Sequence, residues 1–429
     1  MSTLHASGSG EKGKAEALGE SLRLLRTRRF GTFWVASLLS SIGTWAQQVA
    51  EPWLLLSLGS SPFIVGLDAF AMDAPVWALT LLGGVLADRA DRRKVILLFQ
   101  SIQMLCPTLI VVLLVVNKVQ PWMIVALSLV VGVTDALSMP SFQSIVPSIV
   151  EYEQIGTGIA LNSTQLNLSR ILGPALAGVL MVRLGALSCF VASALSYLPL
   201  IFIALWVLPR RAPTSGATGM IDRRHLFAGI QQIARQPDSR GALLTVLATS
   251  ALCGPLITFC PVLVRDVFHG EASQFGGVLS AFGIGGILGA AGLLVVEGNT
   301  NRRRRCSWLA VLYGIVVAIS ALNPWLSVLA VLLVFGGAVM TVSNATANTL
   351  LQRTAEPLLR GETASLYMLA MRGGRSLGDL FAGLTVSTLG IREALLLNGV
   401  LAVAVQSYIA HAWNVSARAS KAAANIGSD

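Results

Sequence analysis

Apolar stretches of about twenty residues, long enough to cross a hydrocarbon layer roughly 30 Å thick, recur along almost the whole of this chain. A backbone in hydrocarbon has no water to bond to, so such stretches fold as helices whose polar groups pair internally. Twelve can be placed, near residues 31–58, 62–87, 94–116, 121–147, 154–182, 186–208, 241–267, 272–297, 306–322, 325–350, 363–388 and 392–413. Only 12% of residues are charged, which excludes an ordinary soluble domain.

The polar intervals divide the chain. Residues 1–21, rich in Gly, Ser, Ala, Glu and Lys, are expected to be a disordered tail. Residues 22–208 then hold six spans, and residues 241–413 hold six more. The interval 209–240, with Pro209, Pro213 and Gly216, is the expected linker and has room for a short amphipathic helix near 225–235. Residues 414–429 form a second tail.

The formal charge of +10 does not point to nucleic acid, because the basic residues sit beside the spans. Twenty-four Lys and Arg fall on the side of the termini, the linker and the loop at Arg302 to Arg305, whereas only Lys118, Arg183, Arg265 and Arg392 fall on the other. By the positive-inside rule both termini are expected in the cytoplasm, and the chain in an inner or plasma membrane. The five cysteines lie in or at the ends of apolar segments and read as small core residues.

A repeat appears at an offset of 205 residues: Arg170-Ile-Leu-Gly-Pro-Ala-Leu-Ala-Gly178 matches Arg375-Ser-Leu-Gly-Asp-Leu-Phe-Ala-Gly383. The same offset pairs Gly132 with Gly337, Gln143 with Asn348, Glu151 with Glu356 and Gly185 with Gly390. Spans four and five therefore correspond to ten and eleven. The expected fold class is an all-α membrane protein with twelve transmembrane helices in two pseudo-symmetric six-helix bundles, an architecture that puts a substrate site between the halves.

Between the second and third spans stands Gly84-x-Leu86-Ala87-Asp88-Arg89-x-x-Arg92-Arg93. It resembles the loop signature of the major facilitator superfamily, and the resemblance extends over residues 22–413. Asp91 and the segments WAQQVAEPW, SPFIVGL and NLSRILGPALAG resemble the branch containing enterobactin exporters and macrolide-type efflux proteins. The resemblance implies two bundles rocking about a central site lined by helices one, four, seven and ten. It also implies a conformational gate at Gly84, Asp88, Arg89, Arg92 and Arg93, in which Asp88 meets the start of helix eleven near Gly361 to Ala364. A carboxylate near a helix N-terminus gains roughly 0.3–1 kcal/mol, enough to help bias two closely balanced states. Helix five carries Gly173, Pro174 and Gly178 where the antiporter motif of the superfamily has its Gly-Pro pair, which implies close helix packing and favours export. The chain departs from the pattern in having no Arg in helix four and no Asp-containing counterpart of the loop in the second half.

Ionisable residues at membrane depth are costly and usually functional. A carboxyl group in a low-dielectric cavity holds its proton more readily, which is what proton exchange requires. Asp135, Glu51 and Asp73 are the candidates, in that order, with Gln47 four residues from Glu51 on one helix face and Asn344 and Asn348 on helix ten as further cavity residues. Asp68 is read as nearer the outer surface and solvated. Arg170, Arg372, Arg375 and Asp379 form an intramembrane charge network, with Arg372, Arg375 and Asp379 on one helix face and Arg375 able to pair with Asp379. These arginines either tie helices together or attract an anionic substrate. Trp45, Trp53, Phe70 and Trp77 either line a wide pocket or anchor the helices at the interface.

No nucleotide-binding loop, metal cluster or nucleophile triad occurs, so no cofactor, metal or catalytic residue is expected and the energy source is a gradient. The expectation is a monomeric secondary transporter, not an enzyme, working in a lipid bilayer and exporting a small amphipathic molecule by proton antiport. The resemblance makes a siderophore the first cargo and a drug the second. The alternatives are an importer of such compounds and, from another class, a non-transporting membrane sensor or assembly partner.

Overall fold

The computed structural model describes residues 19–79, 82, 90–207, 233, 236–295, 302–354 and 360–426, and every regular element among them is helical. The principal helices are α1 (Arg28–Ser57), α2 (Pro62–Leu79, with a turn at Ala74), α3 (Arg92–Val115), α4 (Pro121–Ile149), α5 (Ile155–Leu184) and α6 (Ala186–Trp206). They continue with α7 (Pro237–Val267), α8 (Ala272–Val295), α9 (Arg302–Leu322), α10 (Leu326–Thr354), α11 (360–389) and α12 (Ile391–Ile426). By length and composition, ten helices among the described residues can cross a membrane. The other two, α1 and α11, are as long but more polar, carrying Gln47 and Glu51 in one and Arg372, Arg375 and Asp379 in the other.

Local chemistry sets the ends. Pro62, Pro121 and Pro237 open α2, α4 and α7, where a missing N–H would have had no partner in any case. The Asp91 carboxylate caps α3 by accepting from the Arg93 backbone N–H at 3.0 Å. Gly185 and Gly390 end α5 and α11 at φ +77° and +98°, backbone that only glycine enters without strain, and they stand 205 residues apart. The last helix runs to Ile426, past the boundary at 413. The linker helix near 225–235 and most of the tail 1–21 lie outside the described residues, Ile233 apart.

The packing repeats with the sequence. In the first half α1 packs on α5 and α6, α2 on α4, and α3 on α4 and α6; in the second α7 packs on α11 and α12, α8 on α10, and α9 on α10 and α12. Repeat-related glycines make the equivalent contacts. A Cβ on Gly132 would strike the backbone of α2 at Met72, and one on Gly337 the backbone of α8 at Phe282. Two crossings join the halves, α5 on α8 and α2 on α11. There Gly178 meets Gly276 and Ser280, and Gly383 meets Gly66 and Phe63, again a repeat-related pair.

The helices alternate in direction, so one face carries the chain ends and the other the short turns at 58–61, 116–120 and 268–271. Near the turn face one continuous core spans both halves, uniting Leu55, Ala177 and Met181 with Leu256, Phe259 and Phe275. Trp53 stacks on Phe275 across it, ring centroids 5.4 Å apart, and the Arg265 guanidinium donates to the Leu56 carbonyl. Towards the face of the chain ends the core splits. Phe30, Phe33, Ile96 and Leu200 form a cluster within the first half, and Ala242, Val246, Leu351 and Trp413 one within the second. The halves are thus sealed together at the turn face, with separate cores at the other. All five cysteines are buried and free.

Candidate functional site

The sequence offers Asp73, Asp135 and Arg372 as separate intramembrane charges, and the fold brings them to one point between the halves. Arg372 Nε donates to Asp73 Oδ1 at 2.8 Å and Arg372 Nη1 donates to Asp135 Oδ2, so one guanidinium of α11 holds a carboxylate from α2 and another from α4. Arg372 and Asp73 are about 15% exposed and Asp135 is 38% exposed, which makes Asp135 the open member. One positive charge against two negative ones leaves the cluster a net acid.

A break in the helix aims Arg372. Residues Leu369–Gly373 form a π turn inside α11, and an inserted residue turns the helix by roughly 100° relative to an unbroken one. Arg372 lies within this turn and Arg375 just beyond it, and the two take different partners. Arg372 reaches across to the first half, while Arg375 stays with its own. Arg375 Nε donates to Asp379 Oδ2 at 3.4 Å, and Thr258 Oγ1 on α7 donates to the same oxygen at 2.9 Å.

Arg170, the repeat-mate of Arg375, is placed differently. Its guanidinium lies over the Trp45 ring, 5.4 Å from the centroid, and Nη1 points at the Met371 sulfur at 3.7 Å. Its Nε is buried without a hydrogen-bond partner, and no carboxylate among the described residues pairs with it. Gly173 lets α5 approach Trp45 and Ile42 of α1, Gly178 lets it approach α8, and Pro174 lies between them in α5.

Glu51 and Gln47 sit inside the first half and not at its interface with the second. Gln47 Nε2 donates to Glu51 Oε1 at 2.8 Å and Ser193 Oγ on α6 donates to Gln47 Oε1 at 2.7 Å, with Gln47 4% and Glu51 2% exposed. The reading of Asp68 as solvated is overturned. It is 4% exposed within electrostatic reach of Glu51, because α2 is covered on one side by α4 and on the other by the Gly66–Gly383 crossing. Asn344 and Asn348 are half-buried on α10, apart from the Arg372 cluster, and the Tyr367 hydroxyl reaches the Asn344 carbonyl at 3.5 Å.

Of the expected gate, Gly84, Asp88 and Arg89 lie outside the described residues, as does the side chain of Arg92. The Arg93 guanidinium donates to the Leu205 carbonyl of α6 within the first half. Sequence reasoning missed Thr258 and Ser193 as partners and Met371 as a neighbour of Arg170. Each is one of many similar residues more than a hundred positions from its contact, and nothing in the pattern marks it.

The chain matches the family described as transmembrane secretion effector over residues 20–428. It is 23% identical to the staphyloferrin A transporter of Staphylococcus aureus over 87% of this chain and 93% of that one. It is 24% identical to the multidrug efflux pump Tap of Mycolicibacterium fortuitum over 86% and 93%, and 21% identical to macrolide efflux protein A of Streptococcus pyogenes over 88% and 94%. Among solved structures, the nucleoside transporter NupG superposes with a TM-score of 0.70 at 12% identity, covering 90% of this chain and 99% of its own. A bacterial homologue of the human lysosomal transporter Spinster, inward-facing and unoccupied, superposes at 0.71 and 13%, covering 91% and 97%.

Proposed function

Because the chain belongs to the transmembrane secretion effector family of the major facilitator superfamily, and so is a multi-pass membrane transporter and not an enzyme, we propose that it exports a small amphipathic molecule in exchange for protons. The observation that carries this reading is the bridge from Arg372 of one half to Asp73 and Asp135 of the other. A contact between halves that a single proton weakens is what couples a gradient to rocking. With the termini in the cytoplasm, the sealed turn face is the outer one and the separately packed halves face inwards. Arg372 then bridges both carboxylates while cargo enters from the cytoplasmic side. Once the bridge has parted and the outer side has opened, Asp135 takes up a proton, carries it inwards and gives it up to the cytoplasm as the Arg372 bridge re-forms. The site thereby alternates between cargo with free carboxylates and a proton without cargo.

Relatives named as efflux pumps and as a staphyloferrin A transporter support an outward direction and an amphipathic cargo, with a siderophore as the first compound to test and a drug as the second. The decisive experiment is uptake of an amphipathic fluorescent dye into inverted vesicles driven by an imposed pH gradient. Asp135→Asn should abolish the gradient-dependent part while leaving exchange of dye down its own gradient. Full proton-driven uptake by that variant would overturn proton coupling at this site. Direction is tested in intact cells, where deleting an exporter raises internal cargo and deleting an importer lowers it.

A further inference from the structure

Arg170 and Arg375 occupy equivalent places in the two halves, yet only one has a carboxylate. Four residues beyond Arg375 stands Asp379, one helical turn away and bonded to it; four residues beyond Arg170 the repeat has Pro174. The second half therefore satisfies its arginine internally and the first half leaves its arginine open. Arg170 is half-buried, but its Nε is cut off from solvent without a partner, and a ring face plus a thioether replace only a small part of the hydration lost there. The Tyr367 phenol lies within its electrostatic reach but is uncharged and turns its hydroxyl to the Asn344 carbonyl, Asp73 is engaged by Arg372, and Arg372 and Arg375 repel it. What Arg170 lacks is an anion.

The surroundings suit one. Trp45 covers one face of the guanidinium and is itself half-buried on α1, and Met371 belongs to α11 across the gap between halves. An apolar ring, a flexible thioether and a planar donor fork together fit a molecule with an apolar body and a carboxylate, which arginine recognises through two parallel N–H···O bonds. We propose that Arg170, backed by Trp45, is the docking point for a carboxylate on the transported molecule, so that the cargo supplies in the first half the charge that Asp379 supplies in the second. Loaded cargo then bridges α1 and α5 to α11, joining the halves beside the Arg372 bridge. The inference rests on the transporter reading, but its test needs no gradient and no flux.

The test is isothermal titration of the full-length purified protein in detergent with 2-naphthylacetate and with the uncharged 2-naphthylacetamide. The wild type should bind the acid at least about tenfold more tightly than the amide, the factor expected of a charge-assisted contact. Arg170→Gln should lose that factor and bind the amide as before, while Arg170→Lys keeps part of it. Pro174→Asp, which gives Arg170 the internal partner its repeat-mate has, should also abolish the preference for the acid, and it serves should Arg170→Gln fail to fold. Equal binding of acid and amide by the wild type overturns the proposal, as does an intact preference in Arg170→Gln or in Pro174→Asp. Parallel loss of both ligands in Arg170→Gln also overturns it, since that reports a role in packing. Loss of proton coupling in the dye experiment with the acid preference intact strikes the antiport reading alone.

Discussion

Arg372→Gln removes the one cation that two carboxylates from the opposite half share, and its effect can be sized. At an effective dielectric of about 20 a unit pair 4 Å apart is worth roughly 4 kcal/mol before the cost of desolvation. The Asp73 leg, at 2.8 Å between side chains about 15% exposed, keeps a substantial part of that value. The Asp135 leg, with a carboxylate 38% exposed, is discounted to the roughly 0–1 kcal/mol of a surface pair. After desolvation a net bias of about 2 kcal/mol towards the described arrangement remains, or roughly thirtyfold in the ratio of conformations. The loss falls on the equilibrium between states more than on folding, because the bridge joins the halves and not the helices within one. Spin labels at Ser57→Cys and Asp266→Cys report it. Both positions are exposed, and they flank the seam that Arg265 closes on the Leu56 carbonyl. In Arg372→Gln a population with a longer distance between labels should appear or grow by about that factor. An unchanged distribution would refute the claim that the bridge sets the balance.

Three further outcomes follow from the packing. Gly178→Leu forces a side chain against the Gly276 carbonyl and Ser280, an overpacking cost of about 1–3 kcal/mol that falls only when the turn face is closed, so the same label pair should move apart; an unchanged distance would mean that α5 and α8 are not a moving contact. Asp379→Asn leaves Arg375 without its carboxylate in a site where Asp379 is fully buried, and should lower thermal stability in detergent by about 2–3 kcal/mol, the lower end of the range because Arg375 is 32% exposed. A melting temperature equal to that of the wild type would show that the pair contributes nothing. Tyr313→Phe deletes a hydroxyl that is buried without a partner, so the melting temperature should hold or rise, and a clear fall would reveal a bond to water at that oxygen.

The helices and the repeat were legible because both are written locally. Apolar length marks most of the spans, and glycines 205 residues apart mark equivalent turns at Gly185 and Gly390. The spans that fall short of that apolarity are α1, with Gln47 and Glu51, and α11, with Arg372, Arg375 and Asp379. The bridge was legible only as parts. Arg372 stands 237 positions from Asp135 and 299 from Asp73, and no period connects them. The π turn at Leu369–Gly373 has no mark in the sequence pattern either, and with it the different partners of Arg372 and Arg375 could not be read in advance. Asp68 failed in the same way. Its depth follows from which helices cover α2: Ser128 of α4 and Glu51 of α1 lie beside it, and no sequence period ties either to it.

The two crossings between the halves have a kinetic meaning. Where α5 meets α8 and α2 meets α11, backbone lies against backbone at Gly178, Gly276, Gly66 and Gly383, with only the Ser280 hydroxyl and the edge of Phe259 reaching the contact points. Parting interdigitated helices requires rotamers to reorganise, whereas smooth surfaces can roll or slide over one another without that step. The seal at the turn face therefore behaves as a low-friction bearing: it excludes solutes by close fit but offers little resistance to turning. The timing of the cycle then falls to the specific contacts around the bearing, the Arg372 bridge together with the Trp53–Phe275 stack and the Arg265–Leu56 bond, which must be released before it can move.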